Sequence, residues 1–181
     1  MEINMRKFPL SPGTKLLGDA RHQADMVKAY IPESVSVEWN DTEDDHVEAR
    51  VYQYYSFAPI YGMEANFLRR LEVGKSVVSV NQGILRYIGG RYVPEWIKKG
   101  MIRYLCWFLN SMDYIVVPDC SLREELQKEG IRSPQIRIIP SDEVCGEGRA
   151  AAQWLKLYEQ MWESTNLQYP YQTGYILQGN R

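Results

Sequence analysis

Apolar and polar positions along this chain fall into short blocks whose period switches between two and about three and a half, the mark of strands alternating with helices. The clearest block sequence runs from Asp113 to Asp142. Tyr114-Ile-Val-Val117 is an apolar, β-branched run that Pro118 stops, and it predicts a strand. Ser121-Leu-Arg-Glu-Glu-Leu-Gln-Lys-Glu-Gly130 predicts a helix. Ser121 and Glu124 have capping-box spacing, Leu122 and Leu126 form an apolar edge, and Gly130 closes the helix. Ile136, Ile138 and Ile139 predict the next strand. Strand, helix and strand at this spacing form a βαβ unit, so its strands pair in parallel.

Upstream blocks extend the same scheme. Strands are predicted over Glu2–Phe8, Val35–Trp39, Arg50–Ser56 and Ser76–Val80, and helices over Leu16–Tyr30 and Met63–Val73. In the second helix Phe67, Leu68 and Leu71 read as inward, Arg69 and Arg70 as outward, and Gly74 as the C-terminal stop. Pro94 suits a first helical position, so a helix runs from Glu95 to about Ser111 with Leu105, Phe108 and Leu109 towards the sheet. A last helix spans Arg149 to about Glu163, with Trp154, Leu155, Tyr158, Met161 and Trp162 at helical spacing. The fold class is therefore α/β: a single Rossmann-like domain over residues 1–163, its mostly parallel sheet flanked by helices. The C-terminal helix leads into an irregular Gln-, Tyr- and Asn-rich tail, residues 164–181.

Composition adds limits. At 181 residues the chain makes one ordinary domain with a real core. A net charge of -2 gives no global pull towards nucleic acid or membrane, so any such preference must be local. The three cysteines, Cys106, Cys120 and Cys145, lack metal-ligand spacing and read as reduced, mostly buried thiols of a cytosolic protein. No metal and no cofactor is expected. No run is apolar enough to span a bilayer. The acidic run Asn40-Asp-Thr-Glu-Asp-Asp45-His46 reads as a solvated connector, and Glu64 and Glu72 as the solvated side of a surface helix.

Candidate chemistry lies in three places. The loop before the first helix holds Gly13, Thr14 and Lys15. A loop between strand and helix N-terminus is where such sheets hold phosphates, although the Gly-x-Gly-x-x-Gly fingerprint is missing and a plain connection competes. Tyr54, Tyr55, Gln82 and Gly83 sit at the carboxyl ends of two strands, where ligands bind in open parallel sheets. The stretch 86–110 joins the cations Arg86, Arg91, Lys98, Lys99 and Arg103 to Tyr87, Trp96, Tyr104 and Trp107, against a single carboxylate, Glu95. Cations beside aromatic bulk suit a helix lying in an anionic membrane surface, with Arg86, Arg91, Trp96, Lys98, Lys99 and Arg103 as its contacts. The competing reading packs the apolar side on the sheet and leaves the lysines solvated, and both can hold in different halves. Without a recognisable nucleic-acid module, no nucleic-acid partner is expected.

Arg103-Tyr-Leu-Cys-Trp-Phe-Leu-Asn-Ser-Met-Asp-Tyr-Ile-Val-Val-Pro-Asp119, the Ser121–Ile131 helix and Ile136-Arg-Ile-Ile-Pro140, preceded by several βα units, resemble the N-terminal half of retaining GT-B glycosyltransferases. The likeness is greatest to the bacterial enzymes that glucosylate diacylglycerol. Residues 75–140 carry it; residues 1–74 match in element order and in the first loop with its helix. The resemblance implies an acceptor-side half, peripheral on the inner face of the membrane, using a nucleotide sugar directly or through a partner chain, as a homo- or hetero-oligomer. Departures accompany it. The family's second, donor-binding domain has no counterpart after Pro140, Ser141 replaces an Asn, and Tyr54, Tyr55 and Gln82 stand where histidines often occur. The helix over 149–163 matches the family's last helix, which crosses back onto the N-terminal domain. Two function classes follow. One is a glycosyltransferase, or half of a split one, moving a hexose from a nucleotide sugar to a membrane lipid. The other is a non-catalytic binding or scaffold subunit that stabilises a partner at the membrane. An unrelated small nucleotide-binding enzyme is a third reading.

Overall fold

The computed structural model describes residues 1–6, 20–30, 32, 36–40, 49–54, 59–89, 94–132 and 135–166. In chain order the elements are β1 (Glu2–Arg6), α1 (Ala20–Tyr30), β2 (Ser36–Asn40), β3 (Val51–Tyr54), α2 (Pro59–Leu71), β4 (Lys75–Ser79) and α3 (Ile84–Gly89). They continue with α4 (Glu95–Ser111), β5 (Tyr114–Val117), α5 (Cys120–Lys128), β6 (Ile136–Ile138), α6 (Asp142–Cys145) and α7 (Glu147–Asn166). Among the described residues the strands form one six-stranded sheet in the order β2-β1-β3-β4-β5-β6. Every pairing is parallel. The chain is thus a doubly wound, Rossmann-like α/β domain.

The sheet is covered on both faces, and this explains why its central strands read as continuous apolar runs rather than alternating ones. Val77, Val78, Ile115, Val116 and Val117 are all buried. On one face Tyr54, Val78 and Ile115 pack with Leu68 of α2, Phe108 of α4 and Leu126 of α5. On the other, Val51, Val77 and Val116 pack with Val27 of α1 and Trp154, Leu157 and Tyr158 of α7. Tyr158 donates a buried hydrogen bond of 3.2 Å to Gln53 Oε1, joining α7 to the middle of the sheet.

Several local expectations are corrected. The cap of α5 is Asp119, whose carboxylate accepts from Leu122 N at 2.8 Å, and Ser121 already lies inside the helix. Gly130 does close α5, with φ +94°. Helix α2 begins at Pro59, four residues earlier than predicted, because proline suits a first turn whose amides have no partners. It ends at Leu71, and the left-handed residue after it is Glu72, φ 57°, not Gly74. Gly74 is instead where the backbone crosses a ring: a Cβ there would lie 2.9 Å from Tyr52. Helices α3 and α6, unforeseen in the sequence, add short turns. Cys120 is exposed, whereas Cys106 and Cys145 are half-buried, and all three are free thiols. The acidic run 41–46 and the tail from residue 167 lie outside the described residues.

Candidate functional site

The strand order reverses between β1 and β3, which places the ligand crevice of a doubly wound sheet beyond Arg6 and Tyr54. Of the residues expected there, Gly13, Thr14, Lys15 and Tyr55 lie outside the described residues. Tyr54 is fully buried: its ring stacks at 5.0 Å on Tyr61 and its hydroxyl donates to Glu64 Oε2 at 2.8 Å. Glu64 is therefore bonded to the sheet, not simply solvated.

Gln82 and Gly83 follow β4, one strand beyond the switch point. Gln82 is half-buried, and Gly83 is buried against the carboxyl end of Glu125. The first amides of α3, which face the same edge, are already engaged. Ile84 N donates to Glu129 Oε2 at 2.9 Å and Leu85 N to Glu129 Oε1 at 2.7 Å. Arg86 pairs with Glu125 at 3.4 Å. An internal carboxylate thus fills the position a ligand anion would take on those amides.

Helix α4 dominates this end of the molecule. It lies beside α2, and two contacts fix their register. Trp107 covers Gly62, and Asn66 Nδ2 donates to Ser111 Oγ at 2.8 Å. Both pairs are 45 residues apart, so Pro59, the first residue of α2, is level with Tyr104. The segment Glu95–Arg103 therefore extends past the start of α2 by about 13 Å at the helical rise of about 1.5 Å per residue. Ile84 and Ile88 of α3 join the same core as Leu105 and Phe108, with Met101 and Ile102 packed against it, and so support the extension from one side. The other end of α4 is held by Arg69, which donates to the carbonyls of Asn110, Ser111 and Met112. A guanidinium on the last carbonyls complements the helix dipole. Arg69, expected to point outwards, is thus an internal clamp.

The outer face of α4 carries Trp96, Lys99, Arg103 and Trp107 on successive turns, all exposed. Trp96 is 75% exposed, as the extension past α2 requires. Lys98 projects from the opposite side and is half-buried, so the six expected membrane contacts do not act as one set. Arg86 is paired, and Arg91 lies outside the described residues. On α2, Ile60, Met63, Phe67 and Leu71 repeat the same spacing and are also exposed, from 45% to 62%. Of Phe67, Leu68 and Leu71, all expected inwards, only Leu68 is buried, and Tyr61, Gly62 and Ala65 take the other inward positions. Gly62, buried on the same helix, is small because Trp107 and Phe108 cross close over it. Ile60, Met63, Phe67 and Trp107 line one groove of about 880 Å³. Trp107 joins the two stripes, which are cationic and aromatic along the part of α4 that extends past α2 and apolar along α2. The apolar residues of α2 carried a visible signal, because the helix is apolar on two sides; only one side can face a sheet.

Beneath these stripes the thiol of Cys106 is pushed up, first by burial and then by Glu129, and it lies 3.4 Å from the Glu129 carbonyl oxygen. That is the environment of an inert thiol. Among the described residues no group of His, Cys, Asp and Glu could hold a metal ion, and no helix is long and apolar enough to cross a membrane. No family model matches the chain. No curated protein sequence matches it either.

Proposed function

We propose that this chain is the acceptor-side half of a membrane-surface glycosyltransferase, acting with a donor-binding partner chain. It moves a hexose from a nucleotide sugar to a lipid on the inner face of the membrane. The observation that supports this most is the exposed band: Trp96, Lys99, Arg103 and Trp107 on α4, continued by Ile60, Met63, Phe67 and Leu71 on α2. Isolated apolar side chains on a surface are ordinary, but a contiguous band marks a contact surface. Indole rings favour the boundary between head groups and acyl chains, and each cation close to an anionic surface contributes about 1 kcal/mol. The extended half of α4 stands at the carboxyl edge of the sheet, so a membrane held there brings a lipid hydroxyl to the edge where such sheets bind ligands.

Hexosyl transfer also needs cations or helix N-termini on the leaving diphosphate, and a fixed line between acceptor oxygen and anomeric carbon. Glu129 occupies the amides of α3, and Arg86 is paired with Glu125. Those groups therefore belong to the scaffold, and the donor's diphosphate is left to the partner chain. The same observation favours the second reading, a non-catalytic subunit that holds an active partner at the membrane. Transfer of labelled sugar from nucleotide sugars to diacylglycerol in anionic vesicles separates the two readings. The chain is assayed alone and with the protein that co-purifies with it. Turnover that requires this chain supports the enzyme; turnover by the partner alone, merely enhanced by this chain, supports the scaffold. No turnover in any combination rejects the glycosyltransferase.

A further inference from the structure

At the amino edge of the sheet, opposite the carboxyl-edge site, the starts of β4, β5 and β6 line a cleft of about 520 Å³. Arg69, Lys75, Arg132 and Arg137 surround it, with Asp113 as its carboxylate and Gln135 in its wall. The carboxylate is committed. Asp113 Oδ2 accepts from Ser76 N at 2.9 Å and Ser76 Oγ at 2.8 Å, and Oδ1 lies 3.5 Å from Arg69 Nε. Arg69 is in turn held on the α4 carbonyls. Lys75 and Arg132 make no side-chain ion pair among the described residues. Their backbones are nevertheless fixed: Lys75 N donates to Arg50 O at 2.8 Å, and Arg132 N to Asn110 Oδ1 at 3.2 Å. Four cations on pinned elements against the one carboxylate of Asp113, which is itself engaged by Arg69, leave the cleft with an excess of positive charge among the described residues and make it an anion site.

Two further details narrow the anion. Gln135 donates through Nε2 to Met112 O, while its Oε1 is buried with no donor among the described residues. An unpaired buried acceptor is costly, and Gln135 lines the cleft, so a ligand hydroxyl that reached its Oε1 would remove that cost. The aromatic ring of the cleft offers no platform for a base. Tyr114 packs against the core, and Arg137 sits over it at 5.3 Å. We propose that this cleft binds the phosphate monoester of a small polyol, with Lys75 and Arg132 on the phosphate and Gln135 on a hydroxyl. The site is independent of the glycosyltransferase reading.

Isothermal titration with glycerol 3-phosphate, inorganic phosphate and glycerol tests it. Glycerol 3-phosphate should bind at least fivefold more tightly than inorganic phosphate, and glycerol should not bind. Lys75→Ala combined with Arg132→Ala should weaken binding at least tenfold with an unchanged melting temperature. Vesicles carrying phosphatidylinositol 4-phosphate, whose head group presents a phosphate monoester on a polyol, identify the source of the ester. Vesicle affinity that falls in the same double variant assigns a lipid head group; vesicle affinity that does not fall assigns a free metabolite. Absence of binding heat, equal affinity for inorganic phosphate, or full binding by the double variant overturns the proposal.

Discussion

The indole of Trp107 lies directly over Gly62, and a methyl group at that glycine would meet two ring carbons at 2.7 Å and Phe108 at 3.2 Å. This contact sets the register of α4 on α2 and hence how far the basic aromatic end of α4 extends. Gly62→Ala forces the half-exposed indole outwards. Overpacking of this kind costs about 1 kcal/mol where the displaced group can move into solvent. The expected result is a red-shifted tryptophan emission and a small fall in the urea midpoint. An unchanged emission spectrum would mean that Trp107 does not rest on Gly62.

Arg69 clamps the C-terminus of α4 by donating to three successive carbonyls. Removing it leaves those carbonyls and Asp113 without their cation. Arg69→Ala should destabilise the fold by about 2–3 kcal/mol, the scale of hydrogen bonds to a charged group, and Arg69→Lys should restore little because an ammonium cannot span the carbonyls. Denaturant unfolding of both variants gives the answer. Equal stability of Arg69→Lys and the parent protein would show that charge alone, not the planar fork, holds the helix end.

Burial raises the hydroxyl of Tyr158 far above the ordinary tyrosine value of 10.0. Below pH 10 both folded and unfolded chains keep this proton. Above it the unfolded chain ionises while the folded chain does not, so stability falls as pH rises. The slope reaches about 1.4 kcal/mol per pH unit for one such group. Tyr104 and Cys106, also raised chiefly by burial, act in the same direction. Urea midpoints measured from pH 8 to pH 11 should decline, and Tyr158→Phe should flatten the decline. A midpoint constant over that range would contradict the burial of Tyr158.

What the sequence revealed and what it hid follow from the range of the forces. Tyr114–Val117 was legible because a β-branched run stopped by proline has few other solutions, and α4 because Pro94 marks its start. The parallel sheet followed from the crossover in the βαβ unit. The orientation of α2 was not legible. Two apolar stripes compete on that helix, and the choice depends on the ring of Tyr54 across the preceding turn and on Trp107, which is distant in sequence. The α5 cap is Asp119, whose carboxylate accepts from Leu122 N and so takes the capping role that the Ser121–Glu124 spacing predicts for Ser121. The occupied amides of α3 and the amino-edge cleft depend on Glu129, Lys75 and Arg132 meeting other elements in space, and no local pattern encodes that.

The proposed function requires the outer face of α4 to meet an anionic membrane. Cosedimentation with vesicles of mixed anionic and neutral lipid tests this most directly, comparing Lys99→Glu with Arg103→Glu in one variant against Lys98→Glu alone. The double variant should lose binding at least tenfold, whereas Lys98→Glu, on the opposite side of the helix, should bind within about threefold of the parent; at about 1 kcal/mol per lost cation and a similar repulsion per added carboxylate, the difference is well resolved. Full binding by the double variant, or equal loss from Lys98→Glu, would contradict it.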